Sequence, residues 1–131
     1  GRGLAPARAA AAKRLFEACW AKPFMVAGTG RFCTEAMRLF PGRVFVKTGA
    51  EGVFCASLPT LGLGIALKCD DGATRASEAM MAALLQRFAP LPDEERALLD
   101  RWSRPEIRNW RGILTGEVRP SAAFVTALAA A

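Results

Sequence analysis

The stretch that decides the fold is "GRVFVKTGAEGVFCASLP", Gly42 to Pro59. Val44–Thr48 reads as one strand and Gly52–Leu58 as another, both rich in β-branched and aromatic residues. The "GAE" between them is so short that an antiparallel hairpin is the easy solution. Leu61–Cys69 follows across "PT" as a third strand. Successive side chains in a strand alternate faces, so Val44 and Val46 share one face while Phe45 and Lys47 share the other. Lys47 is one of only four lysines, and it closes the first strand just before the turn. An ammonium withdrawn from water without a partner is costly. A lysine so placed either snorkels past its neighbours or performs a task.

Outward from this meander the chain reads as helices. Upstream, Ala5–Lys22 is alanine-rich and helix-favouring, with Pro6 suited to a first turn and Pro23 ending it. Leu4, Ala11, Leu15, Ala18 and Cys19 are expected on its inner face. "PFMVAGTGR" reads as a loop, with Gly28 and Gly30 straddling Thr29. Arg31–Phe40 reads as a short helix that turns Phe32, Met37 and Phe40 inward. Downstream, Asp71 is the expected N-cap of a helix over Thr74–Phe88, with Met80, Ala83, Leu84 and Phe88 as its buried stripe. "APLPD" breaks the pattern, and "DEERALLDRW" starts another helix. "RNWRGILTGEVRP" reads as an extended peripheral segment and "AAFVTALAAA" as a tail helix. The order predicts an α+β fold, an antiparallel β-meander flanked by helices, with residues 1–131 forming one domain or part of one.

Composition excludes several classes. The chain has 131 residues, 52% of them hydrophobic, which suits a packed core. No apolar run reaches the length that crosses a membrane. The start, "GRGLAPA", is not a signal peptide and reads like the middle of a longer protein. Net charge is +6, but the arginines are scattered and lack interleaved aromatic residues, so no nucleic-acid partner is expected. Cys19, Cys33, Cys55 and Cys69 form no CxxC pair and the chain has no histidine, so no self-contained metal site is expected. Free thiols in a reducing cytoplasm follow.

The triplet Lys47-Thr48-Gly49 matches the lysine-threonine-glycine box that edges the groove of serine β-lactamases and penicillin-binding proteins. More widely, "MVAGTGRF", "GRVFVKTGAEGVFCASLP" and "GLGIALKCDDGATRASEA" resemble successive blocks of the bacterial L-asparaginase II family of the rhizobial inducible type. That family shares the serine β-lactamase and glutaminase architecture, and the resemblance, strongest from Phe24 to about Leu85, places this chain in its C-terminal part. It implies hydrolysis of L-asparagine to L-aspartate and ammonia by Ser/Lys acyl transfer, in a homodimer. Lys47 matches the family's active-site lysine, Cys33 the cysteine held close to the site, and Thr48 and Gly49 the groove lining. Glu51 reads as a solvated turn acid, and Gly28-Thr29-Gly30 either as a substrate-side loop or as turn chemistry alone.

The departures limit what the chain is expected to do alone. The family's nucleophile lies in a serine-x-x-lysine element, and none of Ser57, Ser77, Ser103 and Ser121 has a lysine three residues on. The resemblance implies zinc held by cysteine and lysine residues in blocks with no counterpart here, so no cofactor is expected on this chain. The missing N-terminal half of the fold would be the partner that completes the site, and the isolated chain is expected to be inactive. The other readings are a glutaminase or β-lactamase-like acylase of the same fold, and a non-catalytic binding module.

Overall fold

The structure is a computed structural model that describes residues 3–130. Helix α1 (Pro6–Ala21) leads to a one-turn helix α2 (Phe24–Ala27) and to α3 (Phe32–Leu39). The meander follows as β1 (Phe45–Thr48), β2 (Val53–Leu58) and β3 (Leu63–Lys68), with a 3₁₀ turn at Pro59–Leu61 between the last two. Next come α4 (Thr74–Phe88), α5 (Asp93–Ala97), α6 (Asp100–Ser103), the strands β4 (Glu106–Arg108) and β5 (Leu114–Glu117), and α7 (Ala122–Ala130). The fold is α+β.

The sheet has the order β1-β2-β3 and is antiparallel throughout. Its register pairs Val46 with Ala56 and Ala56 with Ile65, so one face gathers Val46, Phe54, Ala56, Leu58 and the half-buried Leu63, Ile65 and Leu67. Against that face lie Phe32, Ala36, Met37 and Phe40 from α3 and its end, and Met81, Ala82 and Leu85 from α4. The first hairpin closes through Val53 N–H donating to Ala50 O across Glu51 (φ 54°) and Gly52 (φ 71°). Two left-handed residues in succession mark a primed turn, whose twist suits a two-stranded ribbon. A Cβ on Gly52 would come within 2.8 Å of the Cys69 Cβ and 3.1 Å of the Gly72 Cα. This turn is therefore wedged against the end of β3, which fixes where Lys47-Thr48-Gly49 emerges.

Several sequence expectations need correction. "PFMVAGTGR" is not all loop, since α2 occupies Phe24–Ala27. The third strand begins at Leu63 because Pro59–Leu61 coils first, and "DEERALLDRW" is split into α5 and α6 at Leu98–Leu99. Asp71 does not cap α4; its Oδ1 accepts from Ala73 N–H at 2.8 Å in a turn one step earlier. The face of α4 is rotated: Ser77, Ala79, Met81, Ala82, Ala83 and Leu85 are buried, while Met80, Leu84 and Phe88 are half-buried. In α1 no residue is fully buried and Leu15 is exposed. Cys19 does pack against the core as expected, joined by the Phe16 ring on Phe45, 4.6 Å between centroids, and by Trp20 Nε1–H donating to Val44 O at 2.8 Å. "RNWRGILTGEVRP" contributes a two-stranded hairpin rather than a simple extended run.

Candidate active site

Three separate elements bring the expected site residues to one end of the sheet. Cys33 lies in the first turn of α3 and is buried. Its neighbour Thr34 holds that turn in place, with Oγ1 donating to Gly28 O at 2.7 Å. This bond ties the Gly28-Thr29-Gly30 loop to the start of α3, where Gly28 (φ 91°) and Gly30 (φ 67°) take conformations open chiefly to glycine. The end of β1 meets the same turn, and the Thr48 backbone and the Lys47 ammonium both act on the Cys33 sulfur. Cys33, Thr48 and Lys47 are thus brought together.

Burial pushes the Cys33 thiol up, against the Thr48 backbone and the Lys47 ammonium, which favour the thiolate. The net shift is upward, so the sulfur stays a neutral thiol at pH 7 and is not primed as a nucleophile. Lys47 itself is exposed on the outer sheet face, and its Nζ donates to Thr48 O at 2.7 Å. The register sets exposed Cys55 directly across from it. Gly49 donates its N–H to Val53 O at 2.8 Å, and a Cβ there would lie 3.1 Å from that of Val53. A side chain there would crowd Val53, so the hairpin's own packing gives the glycine a reason to be there. Glu51 is exposed at the turn.

Two further residues join the cluster that sequence reasoning missed. Glu78, on α4, is half-buried, and its field reaches Cys33, as does that of Arg31 at the N-terminal edge of α3. Burial pushes the Glu78 carboxyl up, and Arg31 draws it partly back. Glu35 and Glu95, the other half-buried acids among the described residues, are each matched with arginine, Glu95 with Arg43 at 2.7 Å. Glu78 has no ion-pair partner among the described residues. One available signal was its place between Ser77 and Ala79, because small residues mark where a helix approaches its sheet closely.

The serines do not supply a nucleophile beside Lys47. Ser77 and Ser103 are buried and donate to carbonyls of their own helices, Thr74 O at 3.0 Å and Asp100 O at 3.4 Å. Ser121 Oγ accepts from Phe124 N–H at the start of α7. Ser57 shares the outer sheet face with Lys47 but pairs with Phe45, two residues along the strand. Among the described residues no three of cysteine, aspartate and glutamate come together as a possible metal-binding group. A hollow of about 380 Å³ opens beside the same loop, lined by Gly30, Glu35, Arg101 and Trp102, and Lys47 does not line it.

The family model described as L-asparaginase II matches residues 2–120. This chain belongs to the L-asparaginase II family. No curated protein matches it. Membership supports an asparaginase-type amidohydrolase at family level, and with it an amide substrate of the asparagine kind. No helix among the described residues is long and apolar enough to cross a membrane.

Proposed function

We propose that this chain forms the lysine side of a cytoplasmic amidohydrolase that converts L-asparagine to L-aspartate and ammonia by acyl transfer. The observation that carries the reading is the family match across a chain whose Lys47-Thr48 end meets the start of α3 at Cys33. A serine brought by another stretch of polypeptide, the missing N-terminal half, would attack the side-chain amide carbon. Its proton would pass through Lys47 to the departing nitrogen, which leaves as ammonia. Water would then attack the acyl ester, aspartate would leave, and the serine would recover its proton. Backbone donors at the groove would stabilise the oxyanion of each tetrahedral intermediate, commonly the largest single contribution. In this scheme Thr48 and Gly49 line the groove. Cys33, a neutral thiol, lies beside the strand end, and this chain holds no cofactor.

A second reading has its own observation. The Lys47 amine lies on an open sheet face and donates to a carbonyl, which suits a binding module without catalysis equally well. The deciding assay measures release from L-asparagine, L-glutamine and a chromogenic β-lactam by a polypeptide joining this chain to a serine-x-x-lysine segment. The expected result is turnover of L-asparagine, reduced about a hundredfold or more by Lys47→Ala with an unchanged melting curve. Turnover untouched by that substitution removes Lys47 from the mechanism, and preference for another amide reassigns the substrate. Absence of turnover on all three favours the binding module.

A further inference from the structure

The hollow of about 380 Å³ beside the Gly28-Thr29-Gly30 loop is walled by charges of both signs. Glu35 comes from α3, Arg101 and the Trp102 indole from α6, and Gly30 from the loop itself. The two helices are braced here, because the Trp102 ring packs on Phe32 at 5.1 Å between centroids. The Arg101 guanidinium lies 5.5 Å from the Trp102 ring centroid and 3.6 Å from Glu35 Oε2. Arg38 reaches the other Glu35 oxygen at 3.7 Å. Both separations are too long for a hydrogen bond. Nor does the Glu35 or Arg101 side chain hydrogen-bond to any other described residue. Closed pairs look different: Arg43 meets Glu95, and Arg108 meets Glu106, each at 2.7 Å. At the hollow, charge is balanced while the donors and acceptors stay unused.

We propose that this hollow binds an α-amino acid by its charged end, the Arg101 guanidinium taking the α-carboxylate and the Glu35 carboxylate taking the α-ammonium. A plain anion is opposed by Glu35 and a plain cation by Arg101, so the lining favours a ligand that carries both signs. The two wall charges are close together, and an α-amino acid matches them because its ammonium and carboxylate share one carbon. A guanidinium suits a carboxylate because its planar donors can bind both oxygens. A carboxylate suits an ammonium because it only accepts. The ligand's side chain has room over Gly30, where a Cβ would meet nothing within 4 Å. The site stands apart from the amidohydrolase reading, since Lys47 does not line it and binding here needs no nucleophile.

Fluorine NMR of the whole chain carrying 5-fluorotryptophan tests this, because it has three tryptophans and Trp102 alone of them lines the hollow. Trp110→Phe, at an exposed side chain, assigns one resonance, and Arg101→Gln, acting on the stacked indole, assigns that of Trp102. L-Alanine is expected to move the Trp102 resonance saturably and to leave the other two in place. β-Alanine and 4-aminobutanoate, with their charges set progressively further apart, are expected to bind progressively more weakly. Propanoate and ethylamine, with one charge each, are expected not to bind. Glu35→Gln and Arg101→Gln should each weaken L-alanine about tenfold or more, the worth of one charge-assisted hydrogen bond. Arg101→Lys, which keeps the charge and loses the planar fork, should recover part of the loss. A Trp102 resonance unmoved by L-alanine up to its solubility limit overturns the assignment. So does an equal response to propanoate or ethylamine, or a response that both glutamine substitutions leave unchanged. Thermal melts establish that each variant is folded. Should a variant fail to fold, the ligand series on the unsubstituted chain decides alone.

Discussion

Glu78 costs the fold something at neutral pH, and the sign of that cost can be worked out. Its carboxyl is pushed up in the folded state, chiefly by burial, with Arg31 drawing it partly back. Between the ordinary glutamate range and the raised value the folded chain binds more protons than the unfolded chain, so stability falls as pH rises through that interval. Below it both states are protonated and the penalty vanishes. Glu78→Gln, which cannot ionise, is therefore expected to raise stability at pH 7 and to leave it nearly unchanged near pH 3. Urea unfolding at the two pH values checks this. A variant that is less stable than the parent at pH 7 would mean that the carboxylate has a partner of its own. Glu95 behaves oppositely. The hydrogen bond from Arg43 holds its carboxyl low, so its contribution is present above the usual glutamate range and is lost on acidification. A residue that destabilises when ionised is a pattern common at functional sites.

Among the elements, α4 shows how far pattern reading goes. Its span, Thr74–Phe88, is legible to the residue, because a long run of helix formers lies between turn signals. The buried face is not. Met80 is the candidate that spacing selects, yet it is Met81 that is fully buried. The reason is long-range. Met80, Ala76 and Ala79 face a crevice of about 270 Å³ whose other wall is Val118, Pro120 and Phe124. Ala82 and Ala83, both buried, let the helix come close to the sheet. Met81→Ala is accordingly expected to cost about 2–5 kcal/mol, the range for emptying a buried site. Met80→Ala should cost about 1 kcal/mol, in keeping with partial burial. Chemical denaturation of both variants decides it, and equal losses would return the helix to the face that spacing predicts. The same limit governs the site. Lys47, Thr48 and Gly49 are readable because they adjoin in sequence, and Cys33 through likeness to relatives. Arg31 and Glu78 come within each other's field only through the tertiary fold.

At the scale of the whole molecule, the family was legible from blocks lying mostly between Phe24 and Leu85, and the family match runs wider, over residues 2–120. What those blocks could not convey is how much apolar surface the fold leaves uncovered. Met25 is 79% exposed, Leu15 69% and Trp110 95%, and Ile107, Ile113 and Leu114 accompany Trp110 on the β4–β5 hairpin. Residues 106–117 are exposed throughout, although an isolated two-stranded ribbon is marginal in water. The larger sheet ends in β1 and β3 as edge strands, each with one exposed lysine, Lys47 and Lys68, while Gly64 and Ala66 on β3 carry little bulk. Uncovered apolar surface together with free strand edges favours self-association. The isolated chain is expected to sediment with an apparent mass above its 14.0 kDa monomer, rising with concentration. Trp110→Lys and Met25→Lys together should lower that mass without lowering the melting temperature, because neither side chain belongs to the core. A monomer at every concentration, melting cooperatively, would show that the hairpin and the outer sheet face need no cover, and would remove the stability argument for a second stretch of polypeptide seated on them.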